Sequence, residues 1–163
     1  MIFVTVGTER FPFDRLVRAV DELKDELRGE SVFIQTGSGT YTPSFPHARF
    51  IPFGEAHERI REARIVISHA GAGTLLMCAN LGKVPIMMAR RRAFGEHIDD
   101  HQQMFAKRMV EQGRILLIDK PEDLRKNVVH YNELCGSLHD NSNSVESSLV
   151  QHLKEVLNGI AKE

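Results

Sequence analysis

The sequence is poor in the residues and runs that mark several large classes of protein. It has no tryptophan and only two cysteines, Cys78 and Cys135, which show neither metal-ligand spacing nor any reason to pair. No apolar run approaches the roughly 20 residues that a membrane-spanning helix needs, and no signal peptide is visible. We therefore expect a reduced, cytoplasmic protein.

Two common nucleotide-binding signatures are also missing. The P-loop pattern G-x-x-x-x-G-K-[ST] does not occur, which argues against a P-loop nucleotide hydrolase. Gly71 and Gly73 lack the third small residue of the dinucleotide fingerprint, and the first strand is followed instead by Gly7-Thr8-Glu9-Arg10. A nicotinamide or flavin enzyme is thereby disfavoured. The formal net charge of −1 argues against a general nucleic-acid binder.

What is present is an ordinary soluble composition arranged as alternating strands and helices. Of 163 residues, 42% are apolar and 26% charged, which suits a domain with one well-filled core. The alternation predicts an α/β fold with a mainly parallel sheet. The predicted strands are Ile2–Val6, Ser31–Thr36, Arg49–Pro52, Arg64–Ser68, Val84–Ala89 and Arg114–Ile118, and the predicted helices are Phe13–Leu27, Glu55–Ala63, Thr74–Leu81, Asp99–Gln112 and Pro121–Leu134.

The C-terminal part differs in character from residues 1–135, which we predict to form the domain. Residues 136–144, GSLHDNSNS, are polar and turn-rich and are typical of a linker. Residues 145–160 predict an amphipathic helix that either packs on the domain or binds a partner. Its apolar stripe consists of Leu149, Leu153, Val156, Leu157 and Ile160.

The segment Ile65–Thr74, IVISHAGAGT, is the most informative part of the chain. A buried strand ends near Ser68, a turn of small residues follows, and a helix then begins. A helix N-terminus presents unpaired backbone N–H groups and about half a positive charge. Because glycine lets a ligand approach the backbone closely, the pattern predicts a phosphate-binding turn.

Other unusual segments also follow predicted strands. They are Gly7-Thr8, Gln35-Thr36-Gly37 and the loop that starts at Arg90. The carboxyl ends of parallel strands meet at one edge of a sheet, and ligands bind there. We therefore expect one ligand-binding edge.

The cluster between His97 and Gln103 admits two interpretations. His97 and His101 lie one helical turn apart and could hold a metal ion, although no further ligands are evident. The favoured interpretation is a polar helix N-terminus in which Asp99 and Asp100 complement the dipole. Gln102 and Gln103 would then be exposed for hydrogen bonding.

Two further features have either a functional or a purely structural interpretation. Arg90–Arg92 is either a solvated loop or a site for an anionic acceptor, a lipid headgroup or a partner. His69 either touches a phosphate or serves the packing at the strand end. We interpret Cys78 and Met77 as core residues.

The ordered set of motifs resembles the C-terminal, nucleotide-sugar-binding domain of family 28 glycosyltransferases. It resembles especially the separate subunits of two-part enzymes, such as the dolichol-linked N-acetylglucosaminyltransferase and bacterial exopolysaccharide transferases. The resemblance implies a single Rossmann-like domain equivalent to the C-terminal half of a GT-B enzyme. The motifs that carry it are IFVTVGT, FIQTG, RFIPF, VISHAGAGT, LGKVPIMMARR and FGEHIDDHQ, the last favouring the exopolysaccharide type.

The resemblance implies where a UDP-sugar would bind. The diphosphate would lie on the turn at residues 71–74 and near Gln35-Thr36-Gly37, and uracil would lie near Phe53. Gln102 and Gln103 would reach the sugar hydroxyls. Met77 stands where the family often has a glutamate that binds ribose. The implied nucleotide-sugar-binding residues are Gly7, Thr8, Gln35, Thr36, Gly37, Phe53, His69, Gly71, Ala72, Gly73, Thr74, Gln102 and Gln103.

The implied function is that of the donor-binding subunit of an inverting glycosyltransferase. Sugar would pass from UDP to a lipid-linked acceptor, with a membrane-anchored partner supplying the acceptor site and the general base. The chain would be inactive alone, use no metal or cofactor, and be recruited by its partner to the cytoplasmic face of a membrane. The alternative is a non-catalytic nucleotide-sugar-binding or sensor module, which Met77 keeps open.

Overall fold

A parallel sheet of six strands forms the centre of the molecule, for which the computed structural model describes residues 1–142. The strand order is β3-β2-β1-β4-β5-β6, and every pairing is parallel. This is the doubly wound order, in which β1 to β3 are added toward one edge of the sheet and β4 to β6 toward the other, so that the strand order reverses between β1 and β4. The strands are β1 Ile2–Thr5, β2 Val32–Gln35, β3 His47–Ala48, β4 Ile65–His69, β5 Ile86–Met88 and β6 Leu116–Ile118.

Helices cover both faces of the sheet, which explains why the strands are continuously apolar. On one face Ile2 and Val4 pack with α1 and α5, and on the other Phe3 packs with Ile60 of α2 and Cys78 of α3. The predicted α/β fold with a mainly parallel sheet is confirmed. The helices are α1 Asp14–Asp21, α2 Phe53–Glu62, α3 Ala72–Asn80, α4 His101–Glu111, α5 Asp123–Val129 and α6 Tyr131–Ser142, with a short 3-10 helix at Arg92–Phe94.

Two element boundaries near the predicted site differ from expectation. The third strand lies at His47–Ala48 rather than at Arg49–Pro52, because the backbone from Pro46 to Arg49 pairs with β2. Pro52, which lacks an N–H group, instead precedes α2. Helix α3 begins at Ala72, two residues before the predicted start. Gly73 and Thr74 therefore belong to its first turn.

The described part of the predicted linker at residues 136–144 is helical. Helix α6 runs through residue 142, and a separate helix, α5, ends at Val129, so the predicted helix Pro121–Leu134 is divided. Leu134, Cys135 and Leu138 pack against the core, and this packing outweighs the low helix propensity of Gly136. The predicted helix at residues 145–160 lies outside the described residues.

Helix α1 is also shorter than the periodicity predicts. It ends at Asp21, and turns continue the chain to Gly29, where φ is +90°. Leu23 and Leu27 nevertheless stay buried in the core, as the pattern required. Within residues 1–142, no helix combines the length and the apolar character needed to cross a bilayer.

Candidate functional site

An open cleft of about 320 Å³ lies at the carboxyl ends of β1, β2 and β4. It occupies the point where the strand order reverses, the usual ligand position in such sheets. Seven of the residues predicted from the sequence line it: Gly7, Thr8, Gln35, Phe53, His69, Gly73 and Thr74. The other lining residues are Phe3, Thr5, Glu9, Ile51, Ala56, Ile60 and Met77.

The N-terminus of α3 forms one side of this cleft. Gly71 precedes the helix in extended conformation, and the first intrahelical bond runs from Leu75 N to Gly71 O at 3.2 Å. The N–H groups of Ala72, Gly73 and Thr74 therefore have no acceptor within the helix. No acidic side chain lies in this first turn. The helix end can therefore receive an anion.

Gly73 leaves open space beside these N–H groups. A Cβ atom built on it meets no heavy atom within 4 Å. The protein itself therefore has no steric need for glycine at this position. The space is available to a ligand, as the sequence predicted for this turn.

Gly71 is glycine for a different reason, which involves His69. A Cβ atom on Gly71 would overlap with Nε2 of the His69 ring, and one on Gly7 would lie 2.6 Å from its Cε1. Gly7 also has φ of +76°, which disfavours other residues. The imidazole is thus packed between the backbone of Gly7 and that of Gly71. The contact between Gly71 and His69 was not foreseen from the sequence.

His69 serves the packing at the end of β4, and its contact with a phosphate stays a prediction. It is only 9% exposed, yet it lines the cleft. Burial, reinforced by the positive charge of Arg90, lowers the pKa of His69 to about 4. The ring is therefore neutral at pH 7, and its Nδ1 atom makes no hydrogen bond of normal geometry. A neutral imidazole carries one N–H group, which can donate to an anionic ligand in the tautomer with the proton on Nε2, because Nδ1 is buried.

A polar floor is formed by neighbouring strands. Thr5 Oγ1 donates to Gln35 Oε1 at 2.6 Å and accepts from Gly7 N at 3.1 Å. These bonds fix the Gln35 carboxamide. Because the Oε1 atom of Gln35 accepts from Thr5, the Nε2 group of Gln35 is the donor that remains for a ligand.

The opposite side of the cleft is apolar. Ile51, Phe53 and Ala56 lie where β3 leads into α2, and Phe53 is 73% exposed. An exposed flat ring beside a cleft suits stacking against a planar group. Met77 lines the same cleft from α3 and packs against the core cluster of Phe3 and Ile60.

Four of the predicted residues, Thr36, Gly37, Gly71 and Ala72, lie beside the cleft rather than in its lining. Thr36 N donates to Ala48 O at 2.9 Å, and Gly37 N donates to Arg49 O at 2.8 Å. These backbone donors already have acceptors in the protein. The geometry thus offers the turn at α3, rather than that after β2, as the source of free N–H groups.

Gln102 and Gln103 are also outside the lining of the cleft. Gln102 Oε1 accepts from Arg90 N at 3.3 Å, and Gln103 Nε2 donates to Asp100 Oδ1 at 2.6 Å. Both amides therefore already have a partner in the protein, Gln102 after β5 and Gln103 at the residue before α4. A contact with a sugar stays a prediction for both.

The histidine and aspartate cluster is organised around one carboxylate. Asp99 Oδ1 lies 3.0 Å from His97 Nδ1, and Asp99 Oδ2 lies 2.9 Å from His101 Nδ1. The hydrogen bond from the backbone N–H of His101 heads the interactions that lower the pKa of Asp99. No group of three or more potential metal ligands is arranged for a metal ion within residues 1–142.

The arginine run separates into one buried and two surface residues. Arg90 is fully buried, whereas Arg92 is exposed and Arg91 reaches the Asp119 carbonyl at 3.2 Å. Arg90 is thus neither solvated nor free to meet an anionic acceptor. Nothing in three consecutive arginines indicates which one is buried, so the burial of Arg90 has no signal in the sequence.

The sequence of this chain matches the family model described as "Glycosyltransferase family 28 C-terminal domain" over residues 1–156. It is 31% identical over 125 residues to human "UDP-N-acetylglucosamine transferase subunit ALG13", covering 70% of this chain and 10% of that protein. The mouse protein of the same name is 30% identical over 124 residues, with 69% and 10% covered. The chain thus spans about a tenth of the length of these curated relatives.

Solved structures share the fold. An NMR solution structure of ALG13 superposes with a TM-score of 0.55 at 22% identity, covering 81% of this chain and 85% of that one. The calicheamicin glycosyltransferase CalG4 gives a TM-score of 0.55 at 17% identity, with 99% and 43% covered. The glycotransferase of kitacinnamycin gives 0.58 at 17%, with 88% and 39% covered. The predicted Rossmann-like domain, equivalent to the C-terminal half of a GT-B enzyme, is confirmed.

Proposed function

The chain belongs to the family of glycosyltransferase family 28 C-terminal domains, and from this membership we propose that it is the donor-binding subunit of an inverting glycosyltransferase. The donor is a UDP-sugar, bound in the cleft between β1 and β4. The observation that carries the proposal is the N-terminus of α3, where unpaired N–H groups adjoin the open space at Gly73.

The cleft suggests an orientation for the nucleotide. Its diphosphate lies at the first turn of α3, where the helix dipole, the neutral His69 and the Gln35 amide offer hydrogen-bond donors. Uracil lies against the apolar side formed by Ile51 and Phe53. The same donors would stabilise the leaving diphosphate during transfer without a metal ion.

Transfer itself requires a second subunit in this proposal. One Rossmann-like domain supplies one wall of a GT-B cleft, and we place the acceptor site and the general base on a membrane-anchored partner. The curated relatives, named as subunits of a UDP-N-acetylglucosamine transferase, support a divided enzyme. The acceptor would be a lipid-linked saccharide at the cytoplasmic face of a membrane.

A second candidate function is a nucleotide-sugar sensor without turnover. Met77 favours it, because an apolar side chain lines the cleft where the resemblance leads us to expect a ribose-binding glutamate. In both functions UDP binds the same cleft. They differ only in whether sugar is transferred.

Calorimetric titration with UDP, UDP-sugars and uridine tests the binding step. We expect UDP to bind, uridine to bind much more weakly, and EDTA to leave UDP binding unchanged. Absence of UDP binding, or its loss in EDTA, contradicts the proposed site.

Transfer assays with and without a candidate partner separate the two functions. Transfer by the pair but not by the chain alone supports the divided enzyme. Binding without transfer in the presence of the partner supports the sensor, and robust transfer by the chain alone contradicts the requirement for a partner.

A further inference from the structure

Arg90 is the largest fully buried side chain of the described residues, and it lies directly behind the cleft edge. Its guanidinium makes four hydrogen bonds, all to backbone carbonyls. Nη1 donates to Phe11 O at 2.9 Å, to Pro12 O at 3.1 Å and to Glu96 O at 3.0 Å, while Nη2 donates to Val6 O at 2.7 Å. One side chain therefore joins carbonyls from two separate loops.

The first of these loops, residues 6–12, carries cleft residues. Gly7, Thr8 and Glu9 line the cleft and lie between the carbonyls that Arg90 holds. The loop is neither helix nor strand, and elsewhere it is held by Val6 N to Gln35 O at 3.2 Å and by Ser38 Oγ to Glu9 O at 2.8 Å. Arg90 therefore supplies the hydrogen bonds that connect this loop to Glu96, beside a contact between the Phe11 and His97 rings, whose centroids are 5.9 Å apart.

The second loop, residues 91–100, is stiffened by Glu96. Its buried carboxylate accepts two bonds of 2.8 Å from Arg15 and one of 2.9 Å from Arg91 N. That carboxylate is therefore occupied by groups other than Arg90, whose bond to Glu96 is to the backbone oxygen. Within the described residues Arg90 forms no ion pair, and burial lowers its pKa. A buried cation without an ion pair is costly, which points to a specific role.

We propose that Arg90 is a positioning residue for nucleotide binding, clamping residues 6–12 to the loop 91–100 so that Gly7, Thr8 and Glu9 are fixed at the cleft. The inference rests on the proposed function, because it takes the nucleotide diphosphate as the ligand. Arg90 acts through the loop, since it does not line the cleft and its Nη atoms already donate to carbonyls. Its charge also contributes to the lowered pKa of His69, which shows that it lies within electrostatic range of the site.

The test compares full-length Arg90→Lys with Arg92→Met. Lysine keeps the positive charge, but its single ammonium group cannot reach carbonyls in both loops as the planar guanidinium does. Arg92 is an exposed neighbour, so its replacement controls for charge near the cleft. The measurements are amide hydrogen exchange of residues 7–11 without ligand, with α5 as the internal reference, and titration with UDP.

In Arg90→Lys we expect the loop amides to exchange at least about tenfold faster and the Kd for UDP to rise about tenfold, whereas Arg92→Met stays within about twofold. Unchanged loop exchange in folded Arg90→Lys overturns the clamp. Faster exchange with wild-type affinity overturns the positioning role.

A milder variant keeps the test decisive if Arg90→Lys does not fold. Glu96→Gln weakens the second loop without touching the Arg90 guanidinium, and we expect about threefold effects on both measurements. No effect on either overturns the proposal.

Should wild-type protein bind no UDP, the proposed function fails together with the nucleotide part of the inference. The clamp is then decided by exchange in the ligand-free protein. The two failures are therefore distinguishable.

Discussion

The turn between β4 and α3 and the loop between β5 and α4 follow adjacent strands at the same edge of the sheet, yet they use their polar groups in opposite ways. In the first, within residues 1–142, the N–H groups of the opening helical turn have no acceptor in the helix, and the Nδ1 atom of His69 makes no hydrogen bond of normal geometry. In the second, Arg90 donates to the Glu96 carbonyl, the Glu96 carboxylate accepts from Arg91 N, and the Asp99 carboxylate accepts from His101 N. The comparison teaches that unusual residues at a ligand edge become a site only where the fold leaves their polar groups unpaired.

The largest expected effect concerns His69 and the pH dependence of stability. Its folded-state pKa of about 4 lies below its ordinary value of 6.5, so the unfolded chain binds the proton more tightly between these values. Stability is therefore fully present above pH 6.5 and falls as the pH decreases toward 4, by about 3 kcal/mol relative to a His69→Gln variant. Urea denaturation of both proteins between pH 4 and 7 measures this. Parallel pH profiles would show that His69 is not held neutral by burial.

A slightly smaller effect is expected from Gly71→Ala, which places a methyl group on the His69 ring. Overpacking of this kind costs about 2 kcal/mol of stability. Chemical denaturation measures the loss, and Gly71→Ala combined with His69→Ala completes a double-mutant cycle. If the cost of the glycine substitution persists without the imidazole, the ring is not its cause.

A substitution at Gly73, two residues further along the chain, should affect ligand binding and not stability. A Cβ atom at Gly73 meets no heavy atom of the described residues within 4 Å, so we expect Gly73→Val to leave stability intact while it fills the space beside the N–H groups of α3. We expect the free energy of UDP binding to weaken by about 2 kcal/mol or more in a calorimetric titration.

Gly54→Val is the matched control, because Gly54 is likewise the second residue of its helix and meets no heavy atom within 4 Å. It should bind UDP like the wild type. Equal affinity of the Gly73 and Gly54 variants for UDP would show that the phosphate does not bind at the turn before α3.

The smallest effects are expected in the first turn of α4. Ala substitutions of Gln102 and Gln103 should weaken UDP-sugar binding more than UDP binding, by about 0.5–1.5 kcal/mol each. Side-by-side titrations with both ligands measure the difference. Equal losses for the two ligands would show that both amides support the local structure and do not contact the sugar, in keeping with their bonds to Arg90 N and Asp100.

Much of the fold could be predicted because its causes are local. Continuous apolar strands, glycine-marked turns and amphipathic helices predict a parallel α/β sheet without knowledge of any contact. The prediction that the turn at residues 71–74 binds phosphate likewise comes from residue types and their order. Seven predicted residues accordingly line one cleft.

What could not be predicted depends on contacts between distant parts of the chain. The backbone donors of Thr36 and Gly37 are occupied because the segment after Pro46 pairs with β2, and no local pattern reveals this. Helix α6 continues through Gly136 because Leu134 and Leu138 reach the core. The burial of Arg90 depends on carbonyls about 80 residues earlier in the chain, a distance over which sequence patterns carry no information.

The packing of His69 between Gly7 and Gly71 sets the order in which substitutions can accumulate during divergence. While the imidazole is present, any side chain at Gly71 overlaps with it, and one at Gly7 is both crowded and strained. Loss of the histidine to a smaller residue first removes the crowding at Gly71, after which that glycine is free to vary. The reverse order passes through a destabilised intermediate. Among descendants of this chain we therefore expect His69 without Gly71 to be rarer than Gly71 without His69.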